Sequence, residues 1–349
     1  MNIVFRVDAS SAIGTGQVMR CFTLAKALQA QALQKEGCTV SFICTKTIGN
    51  MGDWLKQHFP LYTLPACNSW EEDNRQSCEI LSQIPGKIEW LILDHYGLDY
   101  RWETHIQQKV LKIMVIDDLA DRIHNCHILL DQNLHEGWKT RYEDKVPKSC
   151  LQLLGTAYVL LNPIYPQFKT SIQERTGEIR RLLIGYGGSD PTHETEKVLS
   201  VIKGLKRRDF FIDVVVGKMN MRLAEISKFM MNIPRLQLHV HPDHVAHLMA
   251  VADMAFGAGG IMTWERCYMG LPSLVTVVVD NQRSMTEYMH HQKAIHNMGW
   301  HEQVKSESIE TSLNYYLDHP NSVLEMSRVA QEIVDGKGVE RVVKCLLER

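Results

Sequence analysis

Glycines and short polar side chains gather at three places in the chain, each directly behind an apolar run. The first stretch is Asp8-Ala-Ser-Ser-Ala-Ile-Gly14-Thr-Gly16-Gln17-Val-Met-Arg20. The second runs from Gly257-Ala-Gly259-Gly260 through Thr263-Trp-Glu265 to Gly270-Leu-Pro272, and the third is Gly187-Gly188-Ser189-Asp190-Pro191. Glycine lets a backbone come close to a ligand, and a helix that starts there offers N–H groups to an anion or a sugar hydroxyl. In the second stretch Gly259, Gly260 and Thr263 are candidate contacts for a diphosphate. Glu265, one turn into the expected helix, is placed to accept hydrogen bonds from ribose hydroxyls. Asn281 and Gln282 follow Val277-Val278-Val279 at a strand end, where a ligand face is expected. Each stretch also has a plain reading: a tight strand-to-helix turn, a first-turn carboxylate that steadies its helix, an N-capped loop or a solvated turn. The first stretch is not a GxGxxG dinucleotide fingerprint, because position 19 is Met.

Aspartates mark further strand ends in the first half: Asp94-His95-Tyr96, Asp117-Asp118 and Asp131-Gln132-Asn133. Polar clusters at the carboxyl edge of a parallel sheet read as ligand-facing. Adjacent strand residues point to opposite faces, so Asp117-Asp118 reads as a loop turn rather than a metal pair.

The elements that must position these residues are short continuous apolar runs alternating with helical-period segments. Strands are expected at 2–7, 39–45, 90–94, 113–117, 127–131 and 151–154, and again at 181–186, 211–216, 236–241, 253–257 and 273–279. Such β-branched runs suit strands buried on both faces. In 17–33, Val18, Cys21, Phe22, Ala25 and Leu28 form one apolar stripe, and 321–334 repeats the pattern. This alternation predicts α/β architecture with parallel sheets. Asn162-Pro163-Ile164-Tyr165-Pro166 and the polar residues after it break the pattern. The expected domains are therefore 1–162 and 178–349 with 163–177 as linker: two Rossmann-like domains facing a ligand cleft.

Composition narrows the class. The 349 residues carry a net charge of −2 and 45% apolar side chains, which suits two ordinary cores and leaves no basic nucleic-acid footprint. Nine cysteines with no CxxC spacing suit reduced thiols rather than a disulfide framework or a zinc site. The sixteen histidines show no HExxH and read as surface or satisfied core residues. The N-terminus opens directly into a strand-like run, and no apolar run approaches the roughly 20 residues of a membrane span. The expectation is a cytoplasmic protein with neither membrane nor nucleic acid as partner.

Together these stretches resemble the UDP-sugar hydrolases of pseudaminic acid biosynthesis, which release UDP from 2,4-diacetamido-2,4,6-trideoxy-β-L-altropyranose. The resemblance is carried by Arg6-Val-Asp8 with Gly14-x-Gly16, Val18-Met-Arg20-Cys, Asp94-His-Tyr96-Gly, Asp117-Asp-Leu-Ala-Asp121-Arg and Leu130-Asp-Gln-Asn133. It continues through Leu154-Gly155, Gly187-Gly-Ser-Asp190-Pro, the 257–272 stretch and Val334-Asp-Gly336-x-Gly338, almost the whole chain. It implies a GT-B glycosyltransferase-like fold, a C-terminal domain that holds UDP and an N-terminal domain that faces the sugar and the water. Gly14, Gly16, Tyr96, Gly188, Ser189, Gly259, Gly260, Thr263, Glu265, Asn281 and Gln282 are then the expected substrate contacts.

One departure bears on catalysis. The family motif reads Gly-x-Gly-His, and its histidine is implied to be the general base; this chain has Gln17. Inverting hydrolysis needs a water that loses a proton as it attacks the anomeric carbon. Imidazole, with a pKa of about 6.5, takes that proton at neutral pH. A carboxamide orients a water but takes nothing from it. The expectation is a UDP-sugar hydrolase impaired at its base, with UDP as product, no cofactor, no metal, and a monomeric state. His95, His124 and His135 are conceivable substitute bases. A glycosyltransferase of the same fold and a non-catalytic UDP-sugar-binding protein are the alternatives.

Overall fold

The computed structural model describes residues 1–8, 15–32, 38–46, 51–170, 172, 174–205, 209–218 and 220–348. It divides into two units: Met1–Asn133, Gly137–Leu161 and Lys337–Arg349 in the first, Leu134–Glu136 and Asn162–Gly336 in the second.

In the first unit β1 (Asn2–Val7), β2 (Thr39–Thr45), β3 (Leu61–Leu64), β4 (Ile88–Asp94), β5 (Val110–Ile116), β6 (Ile128–Asp131) and β7 (Leu151–Leu154) form one parallel sheet. Its order is β3-β2-β1-β4-β5-β6-β7. The crossovers include α1 (Gly16–Ala32), α2 (Gly52–Lys56), α3 (Trp70–Leu81) and α4 (Tyr100–Ile106). Helix α1 turns Val18, Cys21, Leu24, Ala25 and Leu28 into the core beside the stacked rings of Phe5 and Phe42, 4.9 Å apart. Phe22 flanks that stripe half-buried, against Trp54.

In the second unit β8 (Arg181–Gly185), β9 (Phe211–Val216), β10 (Leu236–Val240), β11 (Met254–Ala258), β12 (Ser273–Val277) and β13 (His296–Trp300) pair in the order β10-β9-β8-β11-β12-β13, again all parallel. Its helices are α5 (Ile164–Lys169), α6 (Glu194–Gly204), α7 (Leu223–Met230), α8 (Val245–Val251), α9 (Met262–Tyr268), α10 (Arg283–His291), α11 (Ser306–Asp318) and α12 (Pro320–Ile333). Strand order reverses between β1 and β4 and between β8 and β11. In open α/β sheets ligands bind outside the carboxyl ends of the strands at such reversals.

Two expected boundaries are corrected. Residues 163–177 are no linker. Asn162 Oδ1 accepts from the Ile164 N–H at 3.0 Å, Tyr165 is buried, and α5 packs on α8. The Arg175 guanidinium donates to the carbonyls of Ala252, Met249, Met269 and Gly270, which pins the polar stretch to the second unit. The C-terminus, in turn, does not stay with the second unit. Helix α13 (Gly338–Glu348) buries Val342, Val343 and Leu346 in the core of the first unit, against α1. Trp90 Nε1 donates to the Leu346 carbonyl at 3.0 Å. A Cβ at Gly338 would fall 2.3 Å from the Val159 carbonyl oxygen, so only glycine lets this helix start where it does. Among the described residues, no helix is long and apolar enough to cross a membrane.

Candidate functional site

In the first unit the strand ends carry a net of buried ions. Asp94, closing β4, is fully buried and accepts from four side-chain donors. Arg20 binds it through Nε at 2.6 Å and Nη2 at 2.7 Å, Gln17 Nε2 donates at 2.9 Å, and the Cys21 thiol lies at 3.5 Å. Arg20 Nη1 reaches on to Asp118 Oδ2 at 3.0 Å, which also accepts from the Tyr96 hydroxyl at 3.3 Å. Helix α1 thus ties Gln17, Asp94, Asp118 and Tyr96 into one cluster beyond the β1/β4 reversal. Burial, with Asp117 and Asp131 nearby, raises the Asp118 carboxyl above its ordinary value against the pull of Arg20. Gly16 is the first residue of α1, while Gly14 lies outside the described residues.

The direction of the Gln17 amide follows from its partner. A carboxylate accepts and does not donate, so the –NH2 faces Asp94 and the amide oxygen is left to face elsewhere. Gln17 therefore presents an acceptor and no basic lone pair. The three conceivable substitutes are also engaged. His95 accepts from Gly97 N–H through Nδ1 at 3.0 Å and sets Nε2 3.2 Å from Asp8. His135 pairs with Ser284 at 3.0 Å, inside the second unit.

His124 is fully buried, with Nδ1 2.7 Å from Glu103 and Nε2 3.8 Å from Asp117. Burial alone would discharge it, but Asp117 and Glu103 outweigh burial and push its pKa up to about 9. It is a structural imidazolium. A folded pKa above the unfolded value of about 6.5 contributes stability in full below that pH and loses it as pH rises through about 9. Melting temperature should therefore fall between pH 7 and 9.5, by the equivalent of roughly 2 kcal/mol. A His124→Asn variant should melt lower at pH 7 and lack this fall; an equal fall in both proteins would contradict the assignment.

Asp117 and Asp131 were expected to face a ligand, and both instead face inward. Asp117 takes Arg122 Nη2 at 2.8 Å and the Tyr142 hydroxyl at 2.8 Å; Asp131 takes Arg141 at 2.9 Å. Asp8 is likewise held by Arg6, which also binds Asp73. Burial opposes its ionisation, but His95 and Arg6 keep it well below the ordinary carboxylate range. These aspartates are thus held by arginines beside the cluster of Gln17 and Tyr96.

In the second unit a short turn, 259–261, joins β11 to α9 at the β8/β11 reversal, with Gly257 in β11 paired to Gly185. The three glycines have different surroundings. A Cβ on Gly257 would meet Arg266 Nη1 at 2.5 Å, and one on Gly259 would meet Thr286 Oγ1 at 2.4 Å and Gln282 at 3.1 Å. At Gly260 a Cβ would meet only Gln282 Nε2, at 3.8 Å. The structure thus brings Gly259, Gly260 and Gln282 together, with Asn281 on the same turn, and Gln282 accepts from Val278 N–H at 3.1 Å. Thr263, expected at the ligand, is drawn inward instead: it is fully buried, and its hydroxyl lies between the Ala258 carbonyl and the Arg266 guanidinium. Glu265 is half-buried beside the Tyr165 hydroxyl. Burial raises its pKa to about 6, with Tyr165 holding it back, so it is mostly ionised at neutral pH.

The 187–190 turn settles as a capped loop around Asp190, whose carboxylate accepts from the N–H groups of Glu194 and Thr195 at 3.0 and 2.9 Å. Gly188 and Ser189 are half-buried at its crest. A Cβ on Gly217 would fall 2.4 Å from the Gly188 carbonyl oxygen, so this crest is closely backed. Sequence reasoning missed Thr286 and the inward role of Arg266; neither carries a local signal beyond its place on a helix.

Two parallel Rossmann-like units of this strand order define the fold class: a GT-B glycosyltransferase-like protein. The crystal structure of Acinetobacter baumannii MurG matches over 100% of this chain and 99% of that one, with TM-score 0.67 and 14% identity. A UDP-GlcNAc 2-epimerase from Neisseria meningitidis bound to UDP-GlcNAc matches over the full length of both chains, with TM-score 0.67 and 12% identity. Among curated proteins, the chain is similar to the UDP-2,4-diacetamido-2,4,6-trideoxy-beta-L-altropyranose hydrolase of Campylobacter jejuni. The two are 26% identical over 290 residues, 83% of this chain and 96% of that hydrolase. No family model matches the chain.

Proposed function

We propose that the chain binds a UDP-sugar and releases UDP from it by inverting attack of water, with 2,4-diacetamido-2,4,6-trideoxy-β-L-altropyranose as the sugar. The similarity to the Campylobacter hydrolase along most of both chains carries this reading. The second unit holds UDP: backbone at Gly259 and Gly260 meets the diphosphate, Glu265 accepts from the ribose, and Asn281, Gln282, Gly188 and Ser189 border the nucleotide. The first unit supplies the water side through Gly14, Gly16, Gln17 and Tyr96.

Gln17 limits the rate. Its amide oxygen orients a water by accepting one of its protons in a hydrogen bond, and it removes none. Departure of UDP remains assisted by hydrogen-bond donors at the diphosphate. Slow hydrolysis results rather than none. A second reading, a UDP-sugar-binding protein without turnover, draws on the same observation: Gln17 is bonded to Asp94 and has no basic lone pair to offer.

Calorimetric titration with UDP tests the nucleotide site. Wild type should bind UDP. Gly260→Ala, whose methyl has room in the protein, should keep its melting temperature and lose about tenfold in affinity, or ~1.4 kcal/mol. Unchanged UDP affinity in that variant would remove the 259–260 backbone from the site.

A further inference from the structure

Among the described residues three arginines are deeply buried, and one is unlike the others. Arg6 is paired with Asp8 and Asp73, and Arg20 with Asp94 and Asp118. Arg266 is 2% exposed and, among the described residues, has no carboxylate within ion-pair distance. Its nearest acidic neighbour, Glu265, is turned to Tyr165. Its fork is spent on neutral acceptors: Nη2 donates to the Ala258 carbonyl at 2.9 Å and to Thr263 Oγ1 at 3.1 Å. Nε is buried with no partner. A guanidinium taken out of water without a counter-charge is costly, and buried charges are otherwise paired.

Its position suggests what offsets that cost. Arg266 lies under the turn that follows β11, and Gly257 lacks a side chain where the guanidinium sits. The Ala258 carbonyl points down to Arg266. In a trans peptide the C=O and the following N–H point in opposite directions, so the Gly259 N–H is directed away from the guanidinium. One side chain therefore sets the direction of that peptide and places a positive charge behind it. Helix α9, which follows, has only seven residues and adds little dipole of its own.

We infer that Arg266 is the buried counter-charge for a ligand diphosphate, acting through the Ala258–Gly259 peptide as a positioning residue rather than by direct contact. The inference rests on the proposed UDP site but concerns only its anion-binding part. Arg266 holds the peptide with its donor outward, and its charge makes the turn selective for anionic ligands over neutral ones.

The test compares UDP, uridine and inorganic pyrophosphate by calorimetric titration of wild type, Arg266→Met and Arg266→Lys. Arg266→Met should weaken UDP and pyrophosphate by about tenfold or more and leave uridine unchanged. It should also melt no lower than wild type without ligand, since an unpaired buried charge has been removed. Arg266→Lys should keep the preference for UDP over uridine to within a few-fold. Unchanged UDP binding in Arg266→Met, or equal loss of UDP and uridine, would overturn the inference. Should Arg266→Met fail to fold, Arg266→Lys decides: loss of the UDP-over-uridine preference despite a retained charge overturns it. Wild type that binds pyrophosphate but not UDP upholds the anion site and sinks the UDP reading, and wild type that binds neither sinks both.

Discussion

Replacing Gln17 with His should raise the rate of UDP release from the diacetamido-trideoxy-altrose conjugate by about 10²–10⁴-fold. The position is already built to hold an imidazole. Asp94 Oδ1 stands 2.9 Å from the Gln17 amide nitrogen and would take a ring N–H in its place. The carboxylate then fixes the tautomer and leaves the second ring nitrogen as acceptor for a water proton. Because the amide and the ring make the same bond to Asp94, UDP affinity should change little while turnover rises. The effect belongs to kcat. A Gln17→His protein that binds the UDP-sugar but turns over no faster would show that position 17 does not receive the proton.

The second large effect is expected at Asp94 itself. Asp94→Ala removes two bonds from Arg20 and one from Gln17 at once, in a place that water does not reach. Arg20 would keep only Asp118. Breaking a buried ion pair from one side costs about 3–5 kcal/mol, because the other charge is left uncompensated. Chemical denaturation should show a loss of that size. In the Gln17→His background the same change should also cancel most of the gain in turnover, since nothing would orient the ring. A stability change below about 1 kcal/mol would mean that Arg20 is adequately paired by Asp118 alone.

Much of this fold can be read from the chain, because central strands buried on both faces must be continuous apolar runs. Strands such as β4 and β12 announce themselves in this way. Two of the four edge strands do not. Leu61–Leu64 and His296–Trp300 each pair on one side only, are largely half-buried, and contain no apolar run. Both escape sequence reading for that reason. The C-terminal helix shows its apolar stripe plainly, but a stripe does not say which core it covers. Val342, Val343 and Leu346 belong to a core whose other members lie between Ile3 and Leu160.

The sites divide along the same line. Glycine stretches mark the turns, because close backbone approach demands them. Which approach each glycine serves is a matter of long-range packing: Gly257 accommodates Arg266, Gly259 accommodates Thr286, and only Gly260 has room to spare. The aspartates at the strand ends looked ligand-facing because they are polar, yet their partners are arginines brought in from elsewhere. Arg20 reaches Asp94 across 74 positions and Asp118 across 98. Local patterning carries no trace of such pairs. Gln17 can be read as a departure from a motif, whereas its lock to Asp94, which determines what the amide can do, required the structure.

The most direct test of the central claim is calorimetric titration of the unmodified chain with UDP-2,4-diacetamido-2,4,6-trideoxy-β-L-altropyranose, with UDP release followed in the same sample. Saturable binding with slow release of UDP and an inverted sugar product is the predicted result. An absence of binding by this conjugate, in a chain that still binds UDP, would contradict the proposed substrate and favour a different UDP-sugar on the same fold.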